Sequence, residues 1–353
     1  MSGDLDLGPV AAAFDAIATR RAAGGYAPIY ARLAAGCATD PELLRIAAQA
    51  QPGQNPPSLL LGTAHYLLAQ QPEHPLAAFY SAITGQPAPD PREQDPFPLL
   101  RDFLTTHQDQ IAELVATRFV QTQEPGRAAY LYPALLLAQH LAAPDPLAVI
   151  EIGPSAGLTL VPDRYAYRYD THPAGDPDSP LVLHCALRGG TPPLDQPLRI
   201  TWRAGIDLNP LNLADSNDRA WLRAFIWPDH PDRADRLDRA IAAARRGPLP
   251  MLHRGAANQL LPRVLALAPG EATVCVYHTA TTAHFTPDAR RAHARQLATL
   301  ARTRRLLWLQ AEPRPANEPR LRITDLRDGQ PLTEHLLGHY HPHGAWLHWL
   351  STP

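Results

Sequence analysis

VIEIGPSAGLTL, residues 149–160, reads as a short apolar strand carrying an acid near its end, a glycine turn, and then an apolar-periodic stretch able to open a helix. Glu151, Gly153 and Gly157 form an E-x-G-x-x-x-G pattern, the spacing used where a parallel strand turns sharply into a helix beneath a nucleotide-like ligand. Glycine lets the backbone come close to a ligand, and a helix N-terminus presents N–H groups without partners. The pattern predicts a cofactor-type site at this turn. The plain alternative is a βα turn that binds nothing.

Upstream, residues 10–143 read as helical. Val10, Phe14, Ile17 and Ala18 recur at helical spacing, and 42–50, 58–69, 97–119 and 130–141 continue the pattern between proline-rich turns at 51–57 and 85–96. Downstream, strands alternate with helices, the sign of a parallel sheet wrapped by helices. Strands are expected at 148–152, 200–206, 250–253, 273–278 and 306–312, with 320–326 and 345–350 as an antiparallel hairpin at the sheet edge. YAYRY and PLVLHCAL fall in an insertion over about 165–198 and suggest a small β-ribbon. The expected fold is α/β, with a helical region 1–143 and a Rossmann-like domain 144–353.

Composition bounds the chemistry. All 32 basic residues among 353 are arginine, which excludes a Schiff base, a P-loop lysine and a lysine general base. A formal net charge of −2 gives no global pull toward nucleic acid or an anionic membrane. Cys37, Cys185 and Cys275 lie far apart in no metal spacing, and their odd number argues against a disulfide framework. The acidic start MSGDLDLGPV lacks an apolar h-region, and no apolar run approaches a membrane span. A soluble cytoplasmic protein is expected.

Several residues are placed to carry chemistry. Asp207 ends the second strand in GIDLNPL, where an acid can hold both ribose hydroxyls. It can equally begin an Asx-type turn before Asn209-Pro210. Leu208 and Ser155 join Glu151, Gly153, Gly157 and Asp207 as cofactor-side positions, and Ala256 follows the third strand. The fourth strand ends in His278, Thr279 and His284. His278 is a general-base candidate, because imidazole titrates near neutrality. The alternative is a histidine bonded to backbone. Thr279 and His284 are expected on the substrate side.

Gln121, Glu124 and Arg127, in QTQEPGRAAYLYPAL, can form a polar lid or a helix-capping turn. Arg127 suits a carboxylate or sulfate through a bidentate contact. His339, His341 and His343 alternate, but no acid or cysteine accompanies them and Pro342 and Gly344 favour a turn, so no metal site is expected. Gly153-Pro154-Ser155-Ala156-Gly157 has G-x-S-x-G spacing, but Ser155 sits in the turn position of a nucleotide site, so serine-hydrolase chemistry is not the expectation.

EIGPSAGLTL, DRYAYRY, GIDLNPLNL, WLRAFIWPDHPDRADRLDRAI and the terminal HPHGAWLHWL resemble domain-of-unknown-function family 2332 over nearly the whole chain. That bacterial family looks like class I S-adenosylmethionine (SAM) methyltransferases with a helical N-terminal extension. The resemblance implies a Rossmann-like sheet in which Gly153, Ser155 and Gly157 line the methionine and ribose side of SAM. Asp207 would hold the ribose, and the end of the third strand would meet adenine. The chain departs from the family pattern at Ala256, where relatives tend to carry an acid, at Gln123 in place of asparagine, and at Thr279-Ala280-Thr281-Thr282 in place of an aromatic-rich motif. Either adenine is held by backbone and apolar contacts or SAM is not bound.

The default expectation is a small-molecule enzyme transferring methyl from SAM, with His278 removing a proton and Arg127 stabilising an anion. A SAM-independent substitution or ring closure in natural-product biosynthesis is the alternative from the same pocket. A non-catalytic scaffold, with a protein partner or a second copy of the chain, is the third.

Overall fold

A computed structural model describes residues 6–22, 27–314 and 317–350 of the chain. By internal contacts the chain divides into Met1–Thr122 with Ala214–Asp235, and Gln123–Leu213 with Arg236–Pro353.

The first unit is helical: α1 (Gly8–Ala22), α2 (Pro28–Ala38), α3 (Pro41–Ala47), α4 (Pro56–Leu68), α5 (Ser81–Thr84), α6 (Phe97–Thr106) and α7 (Gln108–Thr117). Proline opens α2, α3 and α4, where its missing N–H costs nothing. Asp40 caps α3 and Asn55 caps α4 through backbone N–H groups of the first turn. The next helix, α8 (Ala128–Ala142), belongs to the second unit and packs on strands described below. The chain returns to the first unit for α9 (Ser216–Ala224). There Trp221 is fully buried and donates its indole N–H to the Phe119 carbonyl at 2.9 Å. Phe225 lies so close over Gly62 that a Cβ at 62 would fall 2.7 Å from its ring. Asp229 accepts from the Ile29 and Tyr30 backbone N–H groups, capping α2 from 200 residues away.

In the second unit the strands are β1 (Leu147–Ile152), β2 (Ala166–Tyr169), β3 (His172–Gly175), β4 (Val182–Gly189), β5 (Ile200–Asp207), β6 (Met251–Arg254), β7 (Thr273–Thr279), β8 (Leu306–Arg314), β9 (Asn317–Arg327), β10 (Gln330–Tyr340) and β11 (Trp346–Trp349). Helix α10 (Pro231–Ala244) leads into β6, α11 (Ala257–Leu265) follows it, and α12 (Pro287–Leu300) joins β7 to β8. Among the described residues these strands form one mixed eleven-stranded sheet, ordered β3-β2-β4-β11-β10-β9-β8-β7-β1-β5-β6. The run β8-β7-β1-β5-β6 is parallel and winds outward from β1 in both directions, with the reversal between β1 and β7. The molecule is thus an α/β protein with a large mixed sheet and N-terminal helices.

Every β1 residue is buried, as a parallel strand covered on both faces must be. Ala148, Ile150 and Ile152 pack with Val274, Val276 and Leu306 beneath Leu261 and Leu265 of α11 and Leu297 of α12. By alternation Val149 and Glu151 face the other way, with Cys275 and Tyr277 of β7 beside them in register. That face carries α8, whose Tyr130 hydroxyl bonds the Thr279 hydroxyl at 2.8 Å.

The strands expected in the 165–198 insertion are β2, β3 and β4, and because β4 pairs in parallel with β11 they form the far end of the main sheet. One expectation is corrected. The hairpin expected between 320–326 and 345–350 is instead β9–β10, turned at Asp328-Gly329 with φ of +51° and +79°. Two consecutive left-handed residues are the requirement of the type I′ turn, which Asp-Gly supplies. β11 pairs with β10 only over Gly338–Tyr340. Among the described residues no helix is long and apolar enough to cross a membrane.

Candidate functional site

The carboxyl ends of β1, β5, β6 and β7 gather the residues that the sequence singles out. Gly153, Ser155 and Gly157 all take left-handed φ, +74°, +53° and +78°. The helix expected after this turn is absent. Residues Leu158–Leu160 and Pro162–Arg164 form two single 3-10 turns and the chain enters β2 directly. Pro162 is the local cause, since it lacks an N–H and pushes Val161 out of helical geometry (φ −122°, ψ 41°). The carbonyls that a helix would have satisfied are met by side chains. Tyr165 donates to Leu158, Tyr277 to Thr159, Arg203 to Leu160 and Tyr167 to Pro162, at 2.7–3.0 Å. The helix N-terminus that was to supply anion-binding N–H groups is therefore missing from this turn.

Glu151, expected on the cofactor side, is 1% exposed and turned inward. The Thr159 hydroxyl donates to its carboxylate, 2.8 and 2.9 Å from the two oxygens, and Tyr277 donates at 3.1 Å. Burial pushes the Glu151 carboxyl up to about 7, against the lowering effect of those two bonds. Gln123 extends the network, donating to the Thr159 hydroxyl at 3.3 Å and accepting from the Ala156 N–H at 3.1 Å. Gln123 braces the glycine turn from inside, a role that linear spacing does not reveal.

The general-base candidate His278 is held inside a hydrogen-bonded brace. It is 1% exposed, and both ring nitrogens are committed. The Trp308 indole N–H, which can only donate, reaches Nε2 at 3.1 Å, so the proton sits on Nδ1 and is donated to Glu312 at 2.7 Å. Glu312 also accepts the backbone N–H groups of Thr281, Thr282 and Ala283. Burial raises its carboxyl, but His278 and the backbone donors outweigh this and hold it below the ordinary range. Glu312 thus fixes the loop after β7. That loop sets the Thr281 side chain on Gly153: a Cβ at 153 would fall 2.5 Å from Thr281 Cγ2 and 2.6 Å from its hydroxyl. Thr281 therefore packs directly on Gly153, at the crevice between β1 and β7.

Of the lid residues, Glu124 is buried between the Gly126 N–H, Arg236 and His343, at 2.9–3.1 Å. Gln121 falls in the first unit. Arg127, half-buried, donates to the Thr279 carbonyl at 3.2 Å. Thr279 is buried, and His284 is exposed on the turn Thr282–His284. His343 is held by Glu124, and His339 faces His348 across β10–β11. Among the described residues no group of three or more His, Cys, Asp or Glu is placed to hold a metal.

Asp207 joins two turns. One carboxylate oxygen accepts the Ser155 N–H at 2.9 Å and the other the Asn209 N–H at 2.8 Å, which is the Asx turn. Asn209 in turn accepts from Arg254, the residue opposite Asp207 in the β5–β6 register. Beside this chain opens a cleft of about 360 Å³, lined by Ala156 of the glycine turn, Leu211, Leu213, Leu249, Leu252 and Arg254, among others. Leu208, 73% exposed, points elsewhere on the surface and does not line it. Ala256 caps α11 without a side-chain bond.

A family model described as "Uncharacterized protein conserved in bacteria (DUF2332)" matches residues 11–349. No curated protein and no solved structure matches the chain. The family description names no reaction and no cofactor.

Proposed function

The chain belongs to the bacterial family DUF2332, and we propose that it binds and acts on an organic small molecule in the cleft between the glycine turn and β6. One observation carries this: a cleft of about 360 Å³ at the carboxyl edge of a doubly wound sheet, lined by apolar side chains together with Arg254 and Asn212. That size and lining match the common range for small-molecule sites, and the edge is where such sheets take ligands. The described lining carries no imidazole, thiol or hydroxyl nucleophile. Chemistry there would rest on positioning and on charge stabilisation by Arg254. A ligand-observed NMR screen of fragments against wild type and Leu249→Trp tests the reading. Hits that the tryptophan abolishes are expected; a screen with no such hit overturns it.

Methyl transfer from SAM is the second reading, favoured by the strand order β6-β5-β1-β7-β8 and by an acid at the end of β5. Its two halves fit unequally. The cleft beside Asp207 suits a nucleoside, while the methionine part would lie over Gly153, where Thr281 already sits. SAM as a whole does not fit the residues present. Isothermal titration with SAM, its demethylated product and adenosine separates the readings. Neither methionine-bearing ligand is expected to bind better than adenosine. A gain of about ten-fold or more from the methionine part would restore methyl transfer.

A further inference from the structure

We infer that the ligand of the Asp207–Arg254 cleft is an amphipathic organic anion, its apolar body against Leu211, Leu213, Leu249 and Leu252 and its acidic group toward Arg254. This rests on reading the cleft as a ligand site. Seven of the nine lining residues are apolar (all but Asn212 and Arg254), so a ligand has apolar side chains to cover as well as a charge to meet. Arg254 is the one charged side chain in the lining. Its partner is the neutral Asn209 amide, and among the described residues it forms no salt bridge with a carboxylate. The guanidinium is therefore oriented without being neutralised. Asp207, opposite it in the sheet, receives the backbone N–H groups of Ser155 and Asn209 on its two oxygens.

The backbone beyond Arg254 adds to the same field. Gly255 takes φ +150° and α11 then begins at Ala257 with no side-chain acceptor on its first turn. The positive end of a nine-residue helix thus starts three residues after Arg254. A carboxylate, sulfonate or phosphate ester on a ring or short aliphatic chain matches this lining. A free nucleoside, which has no charge to offer Arg254, matches it less well.

Two dyes of the same ring body, 8-anilinonaphthalene-1-sulfonate and the uncharged N-phenyl-1-naphthylamine, test the inference by fluorescence titration, with each variant's fold checked by thermal melting. Both are expected to saturate on wild type and to fail on Leu249→Trp. Arg254→Gln is expected to weaken the sulfonate about ten-fold and leave the neutral dye unchanged. Added salt should weaken only the sulfonate on wild type, which decides the matter even if Arg254→Gln folds poorly. Sulfonate binding indifferent to both Arg254 and salt overturns the anionic end alone. If neither dye saturates, or Leu249→Trp leaves both unchanged, the cleft is not a ligand site and the functional reading falls with it.

Discussion

Glu151 shows how one buried side chain ties pH to stability. Its carboxyl is held at about 7 by burial, well above the ordinary value of 4.5, so the folded chain keeps a proton there that the unfolded chain releases. Its contribution is fully present below about 4.5 and is lost as pH rises toward 7, on the order of 3 kcal/mol in all. His65 and His293 act oppositely. Burial lowers both to about 4, so their stabilising effect grows as pH rises from there toward 6.5. The difference between Glu151→Gln and wild type isolates the acid. The variant should gain on wild type between pH 5 and pH 8 in urea melts, and parallel pH profiles would show that Glu151 is ionised throughout. Glu312→Ala strands the His278 proton and three backbone N–H groups and should cost about 3 kcal/mol or more by the same measurement. Neither role was legible in the sequence. The partners of His278 and Gln123 lie 30 to 36 residues away, and only the folded sheet brings them together. Asp207 was legible to the extent that an acid before Asn-Pro announces a turn.

At the scale of elements, the glycine turn and the β7 loop act as a fitted pair. Gly153→Ala adds a methyl group where Thr281 sits and forces a non-glycine residue to φ +74°. Destabilisation of about 2–4 kcal/mol is expected, from the contact and the left-handed backbone together. Thr281→Gly in the same chain should recover the contact part and leave the backbone part, so a double-mutant cycle must show coupling. Strict additivity would mean that the two residues do not touch. The parallel strands were readable because their apolar runs are short and bounded by turns. β10 was not, for a physical reason: its register slips between Pro331 and Thr333 and again between Leu336 and Gly338, and two bulges erase the alternation that marks a strand. The Asp328-Gly329 turn was the surviving signal. The missing helix after Gly157 was announced by Pro162, whereas the tyrosines that replace its hydrogen bonds are visible only in three dimensions.

For the whole molecule, the boundary between units matters more than either unit's length. The helical unit is discontinuous, since α9 and Asp229 belong to it although they come after β5 in the chain. A fragment of residues 1–143 would lack the Trp221 core contact and the α2 cap. Such a fragment should show poor chemical-shift dispersion and a broad thermal transition, and joining 214–235 to residues 1–122 should restore a sharp one. A cooperative melt from 1–143 alone would show that the returning segment is dispensable. The helical character of the N-terminal half was plain from periodicity. Its completion by a later segment was not, because nothing in the composition of 214–235 says which neighbours bury it.

The β4–β11 pairing sets a timetable for biosynthesis. β4 emerges from the ribosome at residues 182–189, but the strand that joins it to the rest of the sheet spans 346–349, so more than 150 residues must be translated before that edge can close. During that interval β2, β3 and β4 form a nascent sheet with an open, pairing-competent border, and at high expression that border is where two growing chains would find each other first.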